Sequence, residues 1–131
     1  MSDTPKHMRT PLARVRGLGA ARSGTDHFWR QRLTAVANIP LTIAAVVIII
    51  MLLGRNQAAA AQILGSPPVA IIMLLFIASI TMHMRIGMQV VIEDYVQSET
   101  LKLAAIMANN FFSVAVALVS IYAILKLSSG V

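Results

Sequence analysis

The sequence predicts an all-α membrane protein of three transmembrane helices, with the N-terminus cytoplasmic and the C-terminus outside. Three observations carry this expectation. The 131 residues are 57% hydrophobic and only 12% charged, with mean hydropathy +0.76, whereas an average soluble domain is about 25% charged. Three apolar stretches each exceed the roughly 20 residues that cross a bilayer as a helix. Seven of the 11 lysines and arginines stand in the first 32 residues. Spanning segments are helical because lipid offers no partners for backbone N–H and C=O groups. The ten-residue alternation of a membrane β-barrel is absent.

Residues 1–32 read as a basic cytoplasmic arm. Lys6, Arg9, Arg14, Arg16, Arg22, Arg30 and Arg32 face only Asp3 and Asp26, and Pro5, Pro11, Gly17, Gly19 and Gly24 interrupt any long helix. No apolar core or small-residue cleavage site marks a secretory signal. The arm is basic and acid-poor like a transit peptide but lacks a clear amphipathic helix. That favours a bacterial inner (cytoplasmic) membrane over a mitochondrial one. Nucleic acid is not expected as a partner, since the arm is short and the rest of the chain is destined for lipid.

Residues 33–128 read as the transmembrane domain, with helices at about 33–54, 69–95 and 101–126. The first lies between Arg32 and Arg55, and Pro40 is expected in one of its early turns. The second follows Pro67-Pro68 and ends at Glu93-Asp94-Tyr95. The third lies between Lys102 and Lys126. The two connections and the C-terminal tail carry one basic residue each, so the arm sets the orientation. Arg30, Arg32, Asp94 and Tyr95 then share the inner membrane surface. Small and polar stripes, Asn38-Thr42-Ala45 on the first helix and Asn109-Ser113-Ala117-Ser120 on the third, suit helix contacts.

The second helix holds the ionisable groups. Such groups are costly inside a bilayer and mark function by default. His83 falls near mid-bilayer, displaced toward the inner side. Ser79, Gly87, Val90 and Asp94 lie within about 40° of it around the helix. Small residues beside an inward histidine leave a flat gap that suits a porphyrin, and an imidazole nitrogen can be an axial haem ligand. The same pattern suits close helix packing with His83 as a hydrogen-bonding group. Both readings call for a partner chain. Arg85 lies about 200° from His83 and either snorkels to the inner surface or pairs with an anionic group on a neighbour. Tyr95 suits the lipid–water boundary, where its phenol could also donate to a quinone carbonyl beside Asp94.

The run His83-Met84-Arg85-Ile86-Gly87-Met88-Gln89-Val90-Val91-Ile92-Glu93-Asp94-Tyr95-Val96 resembles the second-helix motif of succinate dehydrogenase hydrophobic membrane anchor subunits, the D-type subunits of respiratory complex II. That motif is a histidine, an Ile-Gly-Met group and an Asp-Tyr pair whose tyrosine falls twelve residues on. His27-Phe28-Trp29-Arg30-Gln31-Arg32-Leu33-Thr34-Ala35 resembles the same family's entry into helix one. The resemblance covers about residues 24–128. It implies an anchor of succinate:ubiquinone oxidoreductase, partnered by a C-type cytochrome b anchor, an iron–sulfur subunit and a flavoprotein. By match, His83 would be an axial ligand of haem b iron. Tyr95 would bind ubiquinone with Asp94 beside it, and Arg32 would lie near the haem propionates or the quinone pocket. Arg85 departs from the pattern, which has an aromatic residue there.

Other classes are limited by composition. The chain has no cysteine, five acidic residues and three histidines. It shows no flavin fingerprint and no iron–sulfur ligands, so FAD and the clusters are expected only in partner subunits. No self-contained active site or catalytic residue is expected. The competing readings are an anchor of a related quinol:fumarate reductase and a non-redox structural or transport subunit.

Overall fold

A computed structural model describes residues 10–12 and 22–130 of the chain. Lys6, Arg9, Arg14 and Arg16 of the basic arm lie outside the described residues. Within residues 22–130 four helices follow one another: α1 (Arg22–Leu52), α2 (Gln57–Gly65), α3 (Pro67–Tyr95) and α4 (Glu99–Ser129). Three of them, all but α2, are long and apolar enough to cross a membrane.

The first helix begins at Arg22 rather than near residue 33. The composition changes at Leu33, but the backbone does not. Between Gly24 and Pro40 no residue breaks a helix, and Asp26, His27, Arg30, Gln31 and Arg32 are merely polar. Gly24 in the opening turns costs about 1 kcal/mol against alanine, which a 31-residue helix absorbs. Pro40 therefore sits mid-helix instead of in an early turn. It has no N–H to give to the carbonyl four residues back, at Val36. The helix closes before Gly54, whose φ of +73° turns the chain in a conformation other residues rarely adopt.

The helix α2 was not expected. Its Asn56 cap accepts the Ala59 N–H at 2.9 Å, satisfying one of the free donors of the first turn. Four consecutive alanines, Ala58 to Ala61, then propagate it. With nine residues it extends only about 13 Å and cannot span a bilayer. Ser66 ends α2 and starts α3, where Pro67 and Pro68 occupy the first turn that needs no donors. Ser98 caps α4, with Glu99 in its first turn and Lys126 in its last, both favourable to the helix dipole.

The central helix is α3, which packs against both α1 and α4. Thr34 of α1 meets Ser79 and His83, while Gln31 meets Gly87, so α1 and α3 run antiparallel. On the other side Asn109 of α4 donates its amide to the Arg85 carbonyl at 2.9 Å. The stripe expected on α4 is observed: Asn109 and Ser113 are buried, Ala117 and Ser120 half-buried, and Ile124 extends it. The α1 stripe is corrected. Its buried positions are Thr34, Ala45 and Ile48, with Asn38 half-buried, whereas Thr42 is exposed. Thr42 lies about 80° around the helix from Thr34 and Ala45 only about 20°. The short α2 lies against the far end of α4, with Gly65 at the Leu127 backbone.

Candidate functional site

The polar centre of the α1–α3 contact is built from Thr34, Ser79 and His83. The Thr34 side chain folds back on its own helix, reaching the Arg30 carbonyl at 2.8 Å and the Gln31 carbonyl at 3.1 Å. Its Oγ1 also lies 3.1 Å from His83 Nδ1. The Ser79 hydroxyl donates to the Thr34 carbonyl at 3.5 Å. Thr34 is only 7% exposed, so its hydroxyl has no access to bulk solvent and must be bonded within the helices. His83 is half-buried. Its Nε2 has no hydrogen-bond partner among the described residues.

This arrangement alters one expectation. The imidazole finds a hydrogen-bond partner within its own chain, at Thr34, so a second chain is needed only for what approaches Nε2. Of the two small residues flanking His83, Ser79 is engaged with α1. Gly87 keeps space beside the helix: a Cβ there would meet only Gln31 Nε2, at 3.4 Å.

Below His83 on the same side lies a groove of about 480 Å³ lined by His27, Phe28, Gln31, Arg32, Ala35, Ile86 and Val90. Ile86 is three residues from His83, about 4.5 Å along the helix. The groove is mostly apolar, with His27, Gln31 and Arg32 as its polar side chains. Arg32 is exposed and lies over the Phe28 ring at 4.9 Å, a distance suited to a cation–π contact. Gln31 Oε1 is buried without a partner. His27 and Phe28 on the groove wall were not anticipated as site residues. The signal was their spacing from Gln31 and Arg32, which puts all four within two turns of α1.

Asp94 and Tyr95 stand at the last turn of α3, both exposed, Tyr95 at 81%. Neither side chain has a partner among the described residues, and neither lines the groove. Nearby, Gln89 donates to Glu93 at 2.9 Å. Arg85 lies on the opposite side of α3, in a shallow recess against α4 with Ser113 and Ala117. It is exposed and forms no ion pair among the described residues. The structure thus brings His83 and Arg32 to one side of α3 and separates Arg85 from both.

The donor set tests whether haem fits. Among the described residues no three His, Cys, Asp or Glu side chains gather into a metal-binding group. A single imidazole nitrogen with open space beside it does fit a group that takes one axial ligand from this chain.

Three helices long and apolar enough to cross a membrane, with a histidine within the second of them, mark a multi-pass helical membrane protein. Residues 6–117 match the model of the succinate dehydrogenase/fumarate reductase transmembrane subunit family, and the chain belongs to that family. It is 33% identical over 121 residues to a succinate dehydrogenase hydrophobic membrane anchor subunit from Paracoccus denitrificans, covering 92% of this chain and 93% of the relative. It is 32% identical over 106 residues to the subunit of the same description from Rickettsia bellii (strain RML369-C), covering 81% and 85%. No solved structure matches the chain. The family resemblance read from the second-helix motif is therefore upheld across nearly the whole chain.

Proposed function

We propose that this chain is the membrane anchor of a bacterial succinate:ubiquinone oxidoreductase, binding haem b and quinone between itself and a second anchor. The carrying observation is His83, held by Thr34 through Nδ1 and without a partner at Nε2 among the described residues. His83 would hold haem b through its Nε2, with the C-type anchor supplying the remaining protein ligand. Haem b, when bound, accepts and releases single electrons. Arg32 and His27 line the groove at the arm-proximal end of α1, where they offer donors to the propionates. Tyr95, its phenol unpartnered among the described residues, would donate its O–H to a quinone carbonyl, with Asp94 next to it in sequence at the same helix end. Succinate oxidation, FAD and the iron–sulfur clusters belong to the flavoprotein and iron–sulfur partners.

The orientation belongs to this reading. The basic arm keeps the N-terminus in the cytoplasm. Arg32 and Tyr95 then lie on the cytoplasmic side of the inner membrane, and the C-terminus lies outside. His83 is twelve residues from Tyr95, about 18 Å along one helix. Mid-membrane haem and interfacial quinone are therefore compatible with α3 as a single rod.

The test is the reduced-minus-oxidised spectrum of the purified complex. His83→Ala removes the b-type absorbance while the subunits still co-purify. A variant that keeps an unchanged spectrum and iron content would refute the axial-ligand assignment.

A further inference from the structure

The three contacts of Thr34 Oγ1 determine where its proton goes. Two of them are to the backbone carbonyl oxygens of Arg30 and Gln31, at 2.8 Å and 3.1 Å. A carbonyl oxygen carries no proton, so an oxygen–oxygen separation of 2.8 Å requires the hydroxyl hydrogen to lie between them. Thr34 has only one such hydrogen. What remains at Oγ1 is a lone pair, 3.1 Å from His83 Nδ1. That contact is a hydrogen bond only if Nδ1 carries the proton. In a neutral imidazole the lone pair then resides on Nε2.

We infer that Thr34 is a positioning residue for His83: it accepts the Nδ1–H hydrogen bond, fixes the tautomer that bares Nε2, and so sets ligand strength toward haem iron. This rests on the haem reading above. Buried metal-ligating histidines generally give their second N–H to an acceptor, which orients the ring and raises its basicity. Here the acceptor is a hydroxyl whose direction is locked by its own helix. Thr34 is β-branched and 7% exposed, and its backbone carbonyl also receives the Ser79 hydroxyl, so α1 cannot easily rotate it away. A more basic imidazole favours ferric over ferrous iron, and the Thr34 bond therefore lowers the haem midpoint potential.

The experiment compares Thr34→Val, Thr34→Ala and Thr34→Ser in the intact four-subunit complex, with His83→Ala as reference. Haem b per complex, its midpoint potential and the ferric low-spin electron paramagnetic resonance signal are measured beside subunit content. Thr34→Val and Thr34→Ala, which lack the hydroxyl, are expected to raise the potential, shift the resonance and weaken haem retention on the order of 10-fold. Thr34→Ser is expected to restore all three. Valine and alanine variants with wild-type potential and resonance would overturn the inference, and so would a serine variant as impaired as they are. Either result leaves the axial role of His83 intact. Unchanged haem in His83→Ala would instead overturn the reading on which the inference rests. Should Thr34→Val fail to assemble, the contrast between alanine and serine decides the question.

Discussion

A histidine inside a bilayer helix is expensive unless its nitrogens have partners, and at residue scale that requirement organises this protein. Nδ1 is satisfied by Thr34, which leaves Nε2 for chemistry. Tyr95 poses the opposite situation. It is 81% exposed with no partner among the described residues, so its phenol is open to a ligand or to a partner subunit. Tyr95→Phe removes one hydrogen-bond donor and keeps the ring. Quinone reduction by the complex is expected to fall roughly 10-fold or more, the scale of one bond to a ligand carbonyl. Succinate oxidation with an artificial dye acceptor should persist. Equal loss of both activities would point to failed assembly. At this scale the candidates His83, Asp94, Tyr95 and Arg32 were visible in the sequence because each breaks the apolar pattern or stands at its edge. Thr34 was not, since a threonine in a membrane helix looks like filler until the register of two helices brings it to the imidazole.

At the scale of elements, the three long helices were legible because hydropathy and length suffice to recognise a membrane span. Their ends were less so. Hydropathy marks where lipid starts, while hydrogen bonding marks where the helix starts, and in α1 the two are separated by the stretch from Arg22 to Arg32. The α2 segment escaped for a related reason: nine residues are too short for a span, and its evidence was a capping asparagine before an alanine run. Its docking depends on Gly65. A Cβ at that position would stand 2.6 Å from the Leu127 carbonyl oxygen, and backbone cannot swing aside as a flexible side chain would. Gly65→Ala is expected to separate α2 from the end of α4 and cost about 1–3 kcal/mol, the usual penalty of overpacking. Thermal or detergent unfolding of the complex would register it as a lower midpoint. An unchanged midpoint would mean that α2 is not held to α4.

For the whole molecule, the main fact is how little it buries. Among the described residues the core is Ala45, Ile48, Ala70, Ile86 and Ile124, with Thr34, Asn109 and Ser113 as buried polar groups, and no side chain is fully enclosed. Phe111, Phe112, Leu118, Val119 and Tyr122 all remain more than 60% exposed. Exposed apolar surface on this scale is covered by lipid or by other subunits. The same feature limited what composition could reveal, since sequence patterning cannot separate a lipid-facing leucine from one facing a partner. The direction of insertion is testable in the intact chain. A reporter active only in the cytoplasm is expected to score at the N-terminus and in the connection between Val96 and Ser98. It should be silent between Leu53 and Asn56 and after Gly130. Replacing Arg22, Arg30 and Arg32 by glutamine should weaken that bias, because nearby basic residues set topology. The reverse pattern of reporter signals would place Arg32 and Tyr95 on the opposite side of the membrane from the one proposed.

The bond from Asn109 to Arg85 is made to the carbonyl of residue 85 and not to its side chain. Every amino acid supplies that carbonyl, so the joint between α3 and α4 is indifferent to the side chain at this position. The Arg85 side chain takes no part in this bond, so its identity can change without breaking the joint. A replacement there should alter what the outer surface of the chain attracts while the helices keep their places.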